Sequence, residues 1–296
     1  MKTSSFPIGV LMLQREKIFP YSWEEAIDIL RKDPDHRELI YNAYLTSDLH
    51  GNCKRFAESA EFSEVLKLIK AHRPHARDVL DIPSGNGIAT YAFARAGFNV
   101  VAVEPDPSVS VGRGAIAASL SAEKLEAKIV DAFGENLPFD SDSFDVIYVR
   151  QGLHHAQDLK AMLGEYARVL RPGGLLLGCR EHVVDNYESS LQDFLNAQVD
   201  HQLYGGENAF TLFDYRVAFA DAGLNIIREI GPYDSPINLH PNTPESLATK
   251  ICESVPGRIL GSVLPKSFVS KLGMWRLRRS NRPGRLYSFV ALGRTA

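Results

Sequence analysis

The chain has 296 residues, of which 45% are hydrophobic and 23% charged, and its formal net charge is −3 at pH 7. These values are typical of a soluble globular protein with a sizeable core, and they exclude a disordered, collagen-like or coiled-coil chain. No segment reaches the ~18–20 apolar residues needed to span a bilayer. The three cysteines, Cys53, Cys179 and Cys252, are too widely spaced for a disulfide framework or a zinc site. We therefore expect no metal and a reducing, cytoplasmic location.

Residues 1–76 predict a helical extension that forms a cap on the rest of the chain. The apolar run at residues 6–13 is too short and too interrupted for a signal peptide. Ser22 and Glu25 form a capping-box pattern, which starts one helix. The apolar spacing within residues 62–69 predicts another helix.

From Asp78 onwards, short apolar runs alternate with helical patterns. This alternation predicts parallel strands joined by right-handed crossovers, in a doubly wound α/β sheet of seven mostly parallel strands with helices on both faces. The main domain would cover residues 77–296, with a long connection at 180–210 and a helical insertion at 243–284. The predicted strands are 78–82, 99–103, 127–130, 144–149, 175–179, 225–230 and 285–292, and the predicted helices between them include 88–96, 108–120, 159–170 and 211–223.

Polar residues and glycines end the first three predicted strands. Ligands of open α/β sheets bind beyond the carboxyl ends of the strands. Gly85 and Gly87 would let a ligand approach the backbone after the first strand. A carboxylate at Glu104 can accept hydrogen bonds from both hydroxyls of a ribose, and one at Asp131 can accept from a purine amine. Together these residues predict a pocket for an adenosine.

Five segments in this region, DVLDIPSGNG, VVAVEP, IVDAFGENLPF, FDVIYVRQGLHH and ARVLRPGGLLL, occur in order over about a third of the chain. They resemble the class I S-adenosylmethionine-dependent methyltransferases, in particular the small-molecule "type 11" subset. Pro83 departs from the pattern, because the family usually has glycine or alanine there. The resemblance implies S-adenosyl-L-methionine as cofactor, with the methionine part held by Asp81, Ser84, Gly85 and Gly87, the ribose by Glu104, the adenine by Asp131 and Ala132, and Gln151 beside the cofactor.

A dinucleotide site is the rival interpretation of the glycine-rich loop. A G-x-G-x-x-G pattern that starts at Gly85 has Thr90 in its third position. The missing third glycine, together with the carboxylates at Asp81 and Asp131, favours the methyl donor over a nicotinamide cofactor.

Histidines and a glutamate follow the fourth and fifth strands, where the methyl acceptor would lie. A hydroxyl acceptor needs a base, and the ordinary pKa of histidine suits that task. The candidate catalytic residues are His154, then His155, and Glu181. The alternative is that these residues merely cap strands. The segment 201–208 is interpreted as a lid or an acceptor-binding loop, with a structural turn as the alternative.

The segment 266–285 carries seven basic residues and no acidic one. Phe268, Leu272 and Trp275 have the spacing of one helical face. The basic side chains either pair with the acidic body of the protein or meet an anionic partner, which would be a phosphate-bearing substrate, a lipid-linked sugar or the surface of an anionic membrane. RNA is less favoured, because the sequence contains no RNA-binding module, and DNA is not expected.

The sequence thus predicts a methyltransferase that uses S-adenosylmethionine and acts on a small molecule or a sugar-containing intermediate, most readily at oxygen. A non-catalytic module that binds a nucleoside or a partner is the alternative function, and an RNA methyltransferase is the second alternative.

Overall fold

The computed structural model describes residues 19–295, so the apolar run at residues 6–13 lies outside the described part. The strands form one sheet with the order β3-β2-β1-β4-β5-β8-β7, and the short β6 pairs with the far end of β5. The first five strands and β6 are parallel, whereas β8 runs antiparallel to both β5 and β7. The strands are β1 Asp78–Asp81, β2 Asn99–Val103, β3 Lys128–Val130, β4 Phe144–Arg150, β5 Leu170–Val184, β6 Phe210–Thr211, β7 Asn225–Ile230 and β8 Arg285–Leu292.

Helices cover both faces of this sheet and build the N-terminal extension. The capping box at Ser22 is present, with its side chain accepting from the Glu25 N–H, and it begins α1 as predicted. The helices are α1 Trp23–Lys32, α2 Arg37–Asn42, α3 Leu49–Ala57, α4 Ala60–His72, α5 Ile88–Arg95, α6 Arg113–Ala122, α7 Leu159–Val169, α8 Ser190–Ala197, α9 Val199–Tyr204, α10 Leu212–Asp221, α11 Pro236–Leu239, α12 Pro244–Glu253, α13 Val255–Gly261 and α14 Lys266–Arg278.

The core consists of two layers, one on each face of the sheet. Along β1, Val79 faces one layer and Leu80 the other, and both side chains are fully buried. Burial on both faces explains why the central strands are continuous apolar runs. The order of strands reverses between β1 and β4, which leaves a crevice at their carboxyl ends. This crevice receives the residues that the sequence analysis selected.

The doubly wound α/β prediction is confirmed, with three differences in its elements. The sheet has eight strands rather than seven, because residues 210–211 form the short β6. The predicted helix 108–120 begins only at Arg113, whose N–H donates to the Asp106 carbonyl in the preceding turn.

The sequence predicts that the fifth strand ends at Cys179, but the strand continues to Val184. Its register shifts near Arg180, which adopts a left-handed backbone with φ of 63°. The Arg180 guanidinium, although buried, donates to the carbonyls of Ile237 and His240. Polar residues therefore lie inside a strand, because each finds a partner there.

Candidate active site

The loop between β1 and α5 forms the floor of the crevice. Gly87 has a φ of 84°, and a Cβ placed on it would lie 2.9 Å from the Ile116 side chain, so the loop packs tightly against α6. Gly85 also has a positive φ, of 53°, but a Cβ there would meet nothing within 4 Å. The loop thus leaves open space beside Gly85, where a ligand can approach the backbone.

Asp81 lies at the end of β1 beneath this loop and is buried. Thr90 donates a hydrogen bond of 2.5 Å to its carboxylate, and Ser84 donates from Oγ to its backbone carbonyl. Burial raises the pKa of Asp81 to about 7, although the hydrogen bonds from Thr90 oppose this rise. A cationic group at this position would favour the ionised carboxylate, as the ammonium of a methionine moiety does.

Glu104 follows β2 and faces the loop from the neighbouring strand. Its Oε2 accepts the Gly85 N–H at 2.7 Å, and its Oε1 accepts the Asp106 N–H at 3.0 Å. Burial raises the pKa of this carboxyl. Each carboxylate oxygen can accept more than one hydrogen bond, so Glu104 keeps capacity for ribose hydroxyls. The open space at Gly85 therefore lies next to a carboxylate that can accept further hydrogen bonds.

Asp131 follows β3 and is exposed, so it reaches the rim of the crevice and not its floor. It forms an ion pair of 2.9 Å with Arg113, which also donates to the carbonyls of Glu104 and Pro105. Arg113 therefore connects the ends of β2 and β3. Sequence analysis missed it, because its position depends on the start of the helix at Arg113 and not at residue 108. Ala132 is half-buried beside Asp131.

The turn after β4 brings the acceptor side next to the glycine-rich loop. A Cβ on Gly152 would lie 2.3 Å from Cδ of Pro83, so the two loops are in close contact at this point. Pro83 thus packs against the neighbouring loop, and the space at Gly85 stays open. Gln151 has a φ of 52°, and its side chain accepts a hydrogen bond from Arg150. Arg150 is fixed in turn by a buried ion pair of 2.7 Å with Glu61 of the N-terminal extension.

His154 and Glu181 form a buried pair. Nδ1 of His154 donates to Oε2 of Glu181 at 2.8 Å, and the N–H groups of Gly152 and His154 donate to the same carboxylate. Burial lowers the pKa of His154 well below its ordinary value, so the imidazole is neutral. Burial also raises the pKa of Glu181 to about 7, against the opposing effect of these N–H groups. The pair leaves Nε2 of His154 with a free lone pair.

Segment 201–208 closes over this pair from the connection between α9 and β6. Nδ1 of His155 donates to the Gly206 carbonyl at 2.8 Å, and Oε2 of Glu207 lies 3.6 Å from Nε2 of His154. Burial raises the pKa of Glu207 to about 8. The sequence analysis selected this segment but not Glu207, because nothing in the local pattern places that side chain against a histidine about 50 residues earlier.

His182 lies on the other side of His154, with ring centroids 4.8 Å apart. Its Nδ1 donates to the Gly284 carbonyl, and burial lowers its pKa to about 3. Asp200, at the start of α9, is a half-buried carboxyl near Glu207, and desolvation raises its pKa as well. The acceptor side therefore brings imidazoles and carboxyls close together, and His154, His182 and Glu181 carry the strongest desolvation.

The segment 266–285 reaches the acceptor side at its end, where the Gly284 carbonyl accepts a hydrogen bond from His182. Its helix α14 forms as predicted, but the apolar face does not pack, because Phe268, Leu272 and Trp275 are 52%, 41% and 55% exposed. Arg278 forms an ion pair of 2.8 Å with Asp234, so pairing with the acidic body occurs in part. An open cavity of about 690 Å³ lies along this helix, with Trp275 among its lining residues.

Comparisons with known proteins agree with this geometry. Residues 80–178 match the family described as a methyltransferase domain. A demethylmenaquinone methyltransferase of Clavibacter sepedonicus is 35% identical over 102 residues, which cover 34% of this chain and 40% of that protein. An uncharacterized methyltransferase of Bacillus subtilis, YcgJ, is 29% identical over 155 residues, which cover 51% and 57% of the two chains.

Among solved structures, the phosphoethanolamine N-methyltransferase 2 of Haemonchus contortus superposes with a TM-score of 0.56 at 16% identity, covering 93% of this chain and 61% of that one. That structure holds phosphomonomethylethanolamine and S-adenosylhomocysteine. The chain spans about 40% to 57% of the length of the two curated relatives named above. The resemblance to class I S-adenosylmethionine-dependent methyltransferases is confirmed in the fold and over residues 80–178. Within residues 19–295, every helix is too short or too polar to cross a membrane.

Proposed function

From the methyltransferase domain at residues 80–178 and its class I fold, we propose that this chain transfers a methyl group from S-adenosylmethionine to a hydroxyl oxygen of a small molecule. A sugar-containing intermediate is included among the acceptors. The observation that carries the proposal is the contact between Gly152 and Pro83. It places the turn of His154 directly beside the glycine-rich loop, so one crevice contains both a nucleoside cradle and a buried imidazole–carboxylate pair.

The cofactor side of the proposal assigns one task to each group of residues. Asp81 neutralises the ammonium of the methionine part, while Ser84, Gly85 and Gly87 shape the loop around it. Glu104 accepts the ribose hydroxyls, because its carboxylate is bonded to the Gly85 N–H beside the open space and has acceptor capacity left. When bound, S-adenosylmethionine supplies an electrophilic methyl group on a cationic sulfur. The residues that border the adenine and the methyl group on the remaining sides are Asp131, Ala132 and Gln151.

The acceptor side assigns activation of the hydroxyl to Nε2 of His154. Glu181 accepts a hydrogen bond from Nδ1–H, which fixes the tautomer and leaves the lone pair on Nε2, on the side of Glu207. The acceptor oxygen loses its proton at this position as it forms a bond to the methyl carbon, and the bond from that carbon to sulfur breaks. His155 and segment 201–208 cover His154 on one side. Much of the rate would come from holding oxygen, carbon and sulfur in line.

We also propose that segment 266–285 contacts an anionic membrane surface. Three large apolar side chains of α14 are exposed next to basic ones, and the chain has no acidic residue between 254 and 296. Exposed aromatic and aliphatic groups beside lysine and arginine are the combination that anionic bilayers bind. The proposed compartment is the cytoplasm, because all three cysteines are unpaired thiols.

The test is methylation itself. Purified full-length protein, incubated with labelled S-adenosylmethionine and fractionated cell extract, should label one small molecule, whose identification gives the acceptor and the methylated atom. The variant His154→Gln should bind S-adenosylhomocysteine normally but lose most of the labelling. Cofactor binding without any labelled product would favour a non-catalytic module, and label found in RNA would favour the RNA methyltransferase.

A further inference from the structure

We infer that His154, His155 and Glu207 form a binding site for a divalent transition-metal cation such as Zn²⁺. One ligand atom from each of the three side chains lies within 4.8 Å of the other two. The sequence analysis predicted no metal on the spacing of the cysteines, and it did not consider these three residues, since Glu207 follows the two histidines by about 50 positions. Only the closure of segment 201–208 over the turn after β4 brings the three groups together.

The spacing fits the coordination distances of such a cation. Zn²⁺ binds imidazole nitrogen at about 2.0–2.1 Å and carboxylate oxygen at about 2.0–2.2 Å, so two tetrahedral ligands lie roughly 3.3–3.5 Å apart. Nε2 of His154 and Oε2 of Glu207 are already 3.6 Å apart. The three ligand atoms lie within 4.8 Å of one another, so a small shift of the exposed His155 side chain would bring its ligand atom to coordination distance.

Both imidazoles are oriented as metal ligands are. A ligating histidine generally donates its second ring N–H to a carboxylate or a backbone carbonyl, which fixes the tautomer and the ring plane. His154 donates from Nδ1 to Glu181, and His155 donates from Nδ1 to the Gly206 carbonyl, each at 2.8 Å. Both rings therefore carry their free lone pair on Nε2. Two independent partners produce the same tautomer in adjacent residues.

Glu207 supplies the second, independent observation. Its Oε2 is buried and has no hydrogen-bond partner among the described residues, although it points at His154. A buried polar atom without a partner costs about 1–3 kcal/mol in general, and more when it is charged. A cation between Oε2 and the two Nε2 atoms would satisfy it. The neighbouring carboxyls of Glu181 and Asp200 add negative potential, which favours a cation over a neutral ligand.

The cation would connect two separate parts of the fold. His154 and His155 belong to the turn after β4, whereas Gly206 and Glu207 belong to the covering segment. Three protein ligands leave a fourth position open, as catalytic zinc sites do. The catalytic part of this inference rests on the proposed function. An acceptor hydroxyl in the open position would release its proton to solvent at neutral pH, because a bound cation lowers the pKa of a coordinated hydroxyl. The cation would then replace the direct role of the His154 lone pair.

Binding is tested on the full chain after treatment with a chelator, without cofactor or acceptor. Titration with Co²⁺ should produce the visible d–d bands of a four- or five-coordinate site at one equivalent, and Zn²⁺ should abolish them. His155→Gln and Glu207→Gln should each weaken binding by about tenfold or more, and Glu181→Gln, which changes only an orienting group, by about 10–100-fold. His75→Gln and Glu188→Gln are matched controls on exposed side chains and should bind normally.

The outcomes separate this inference from the proposed function. Absence of the bands, or bands that remain in both His155→Gln and Glu207→Gln, would overturn the cation site. His155 is exposed, so its variant should keep the fold, which circular dichroism checks. Methylation that persists in metal-free protein would leave the proposed function standing and refute the catalytic part of the inference. Stoichiometric Co²⁺ binding without any methylation would support the cation site and count against the proposed function.

Discussion

Replacement of Glu104 by alanine tests the nucleoside cradle most directly. The carboxylate follows β2 and accepts the Gly85 N–H beside the open space, and we assign both ribose hydroxyls to it. Hydrogen bonds to a charged group contribute about 1.5–3 kcal/mol each. Loss of two such bonds predicts a decrease in binding free energy of about 3 kcal/mol or more. Because about 1.4 kcal/mol corresponds to a tenfold change in Kd, the affinity for S-adenosylhomocysteine should fall at least ~100-fold.

Isothermal titration calorimetry with S-adenosylhomocysteine measures this change. Glu104 also accepts the N–H groups of Gly85 and Asp106, so the alanine variant loses support of the loop as well. Glu104→Gln keeps one acceptor oxygen and should give a smaller loss, of about tenfold. Glu126→Ala, at an exposed carboxylate outside the crevice, is the control and should bind like the parent protein. A folded Glu104→Ala variant with unchanged affinity would refute the assignment of the ribose.

Three further predictions concern the loop, its carboxylate and the basic segment. Gly87→Ala should lower the free energy of unfolding by about 1–3 kcal/mol in urea denaturation, because the φ of 84° is unfavourable for alanine and the new Cβ would lie 2.9 Å from the Ile116 side chain. Gly164→Ala is the control and should not destabilise the protein, because Gly164 lies in a helix with open space around its Cβ position. Burial raises the pKa of Asp81 to about 7, so the carboxylate loses its charge as the pH falls below 7. The affinity for S-adenosylhomocysteine should then fall about tenfold per pH unit, whereas the affinity of Asp81→Asn should not change over the same pH range. The full chain should sediment with phosphatidylglycerol vesicles and not with phosphatidylcholine vesicles, and Trp275→Ala or Lys271→Glu should weaken this binding. Equal binding to both lipids, or no binding to either, would contradict an electrostatic contact with the membrane.

The central fold could be predicted from the sequence because each central strand is buried on both faces. Strand β2 has the predicted bounds, and β1 and β4 agree to within one residue. Continuous apolar runs of this kind have few alternative structures. The prediction failed at β5, where Glu181 and His182 were taken to follow the strand. They lie within it, paired with Tyr287 and Leu286 of β8. Local polarity cannot show that a polar side chain will find a buried partner.

In the candidate site, too, some residues could be predicted from the sequence and others could not. Glu104 and the glycine-rich loop were found because the order of strands brings their carboxyl ends together in any doubly wound sheet. Glu207 and Arg113 were missed, since their positions depend on how one connection folds back over the turn after β4 and how one helix begins. Those contacts are tertiary, and no local pattern in a single sequence records them.

The contact at Gly152 brings the turn after β4 close to the glycine-rich loop, because this residue has no side chain. Pro83 comes within 2.3 Å of where a methyl group would otherwise stand. The substitution Gly152→Ala would force the two loops apart by about an ångström or more. A displacement of that size can slow a reaction that needs aligned groups by roughly a hundredfold. The distance between the two loops thus depends on a residue without a side chain. In the proposed function, that distance also decides how far His154 lies from the methyl donor.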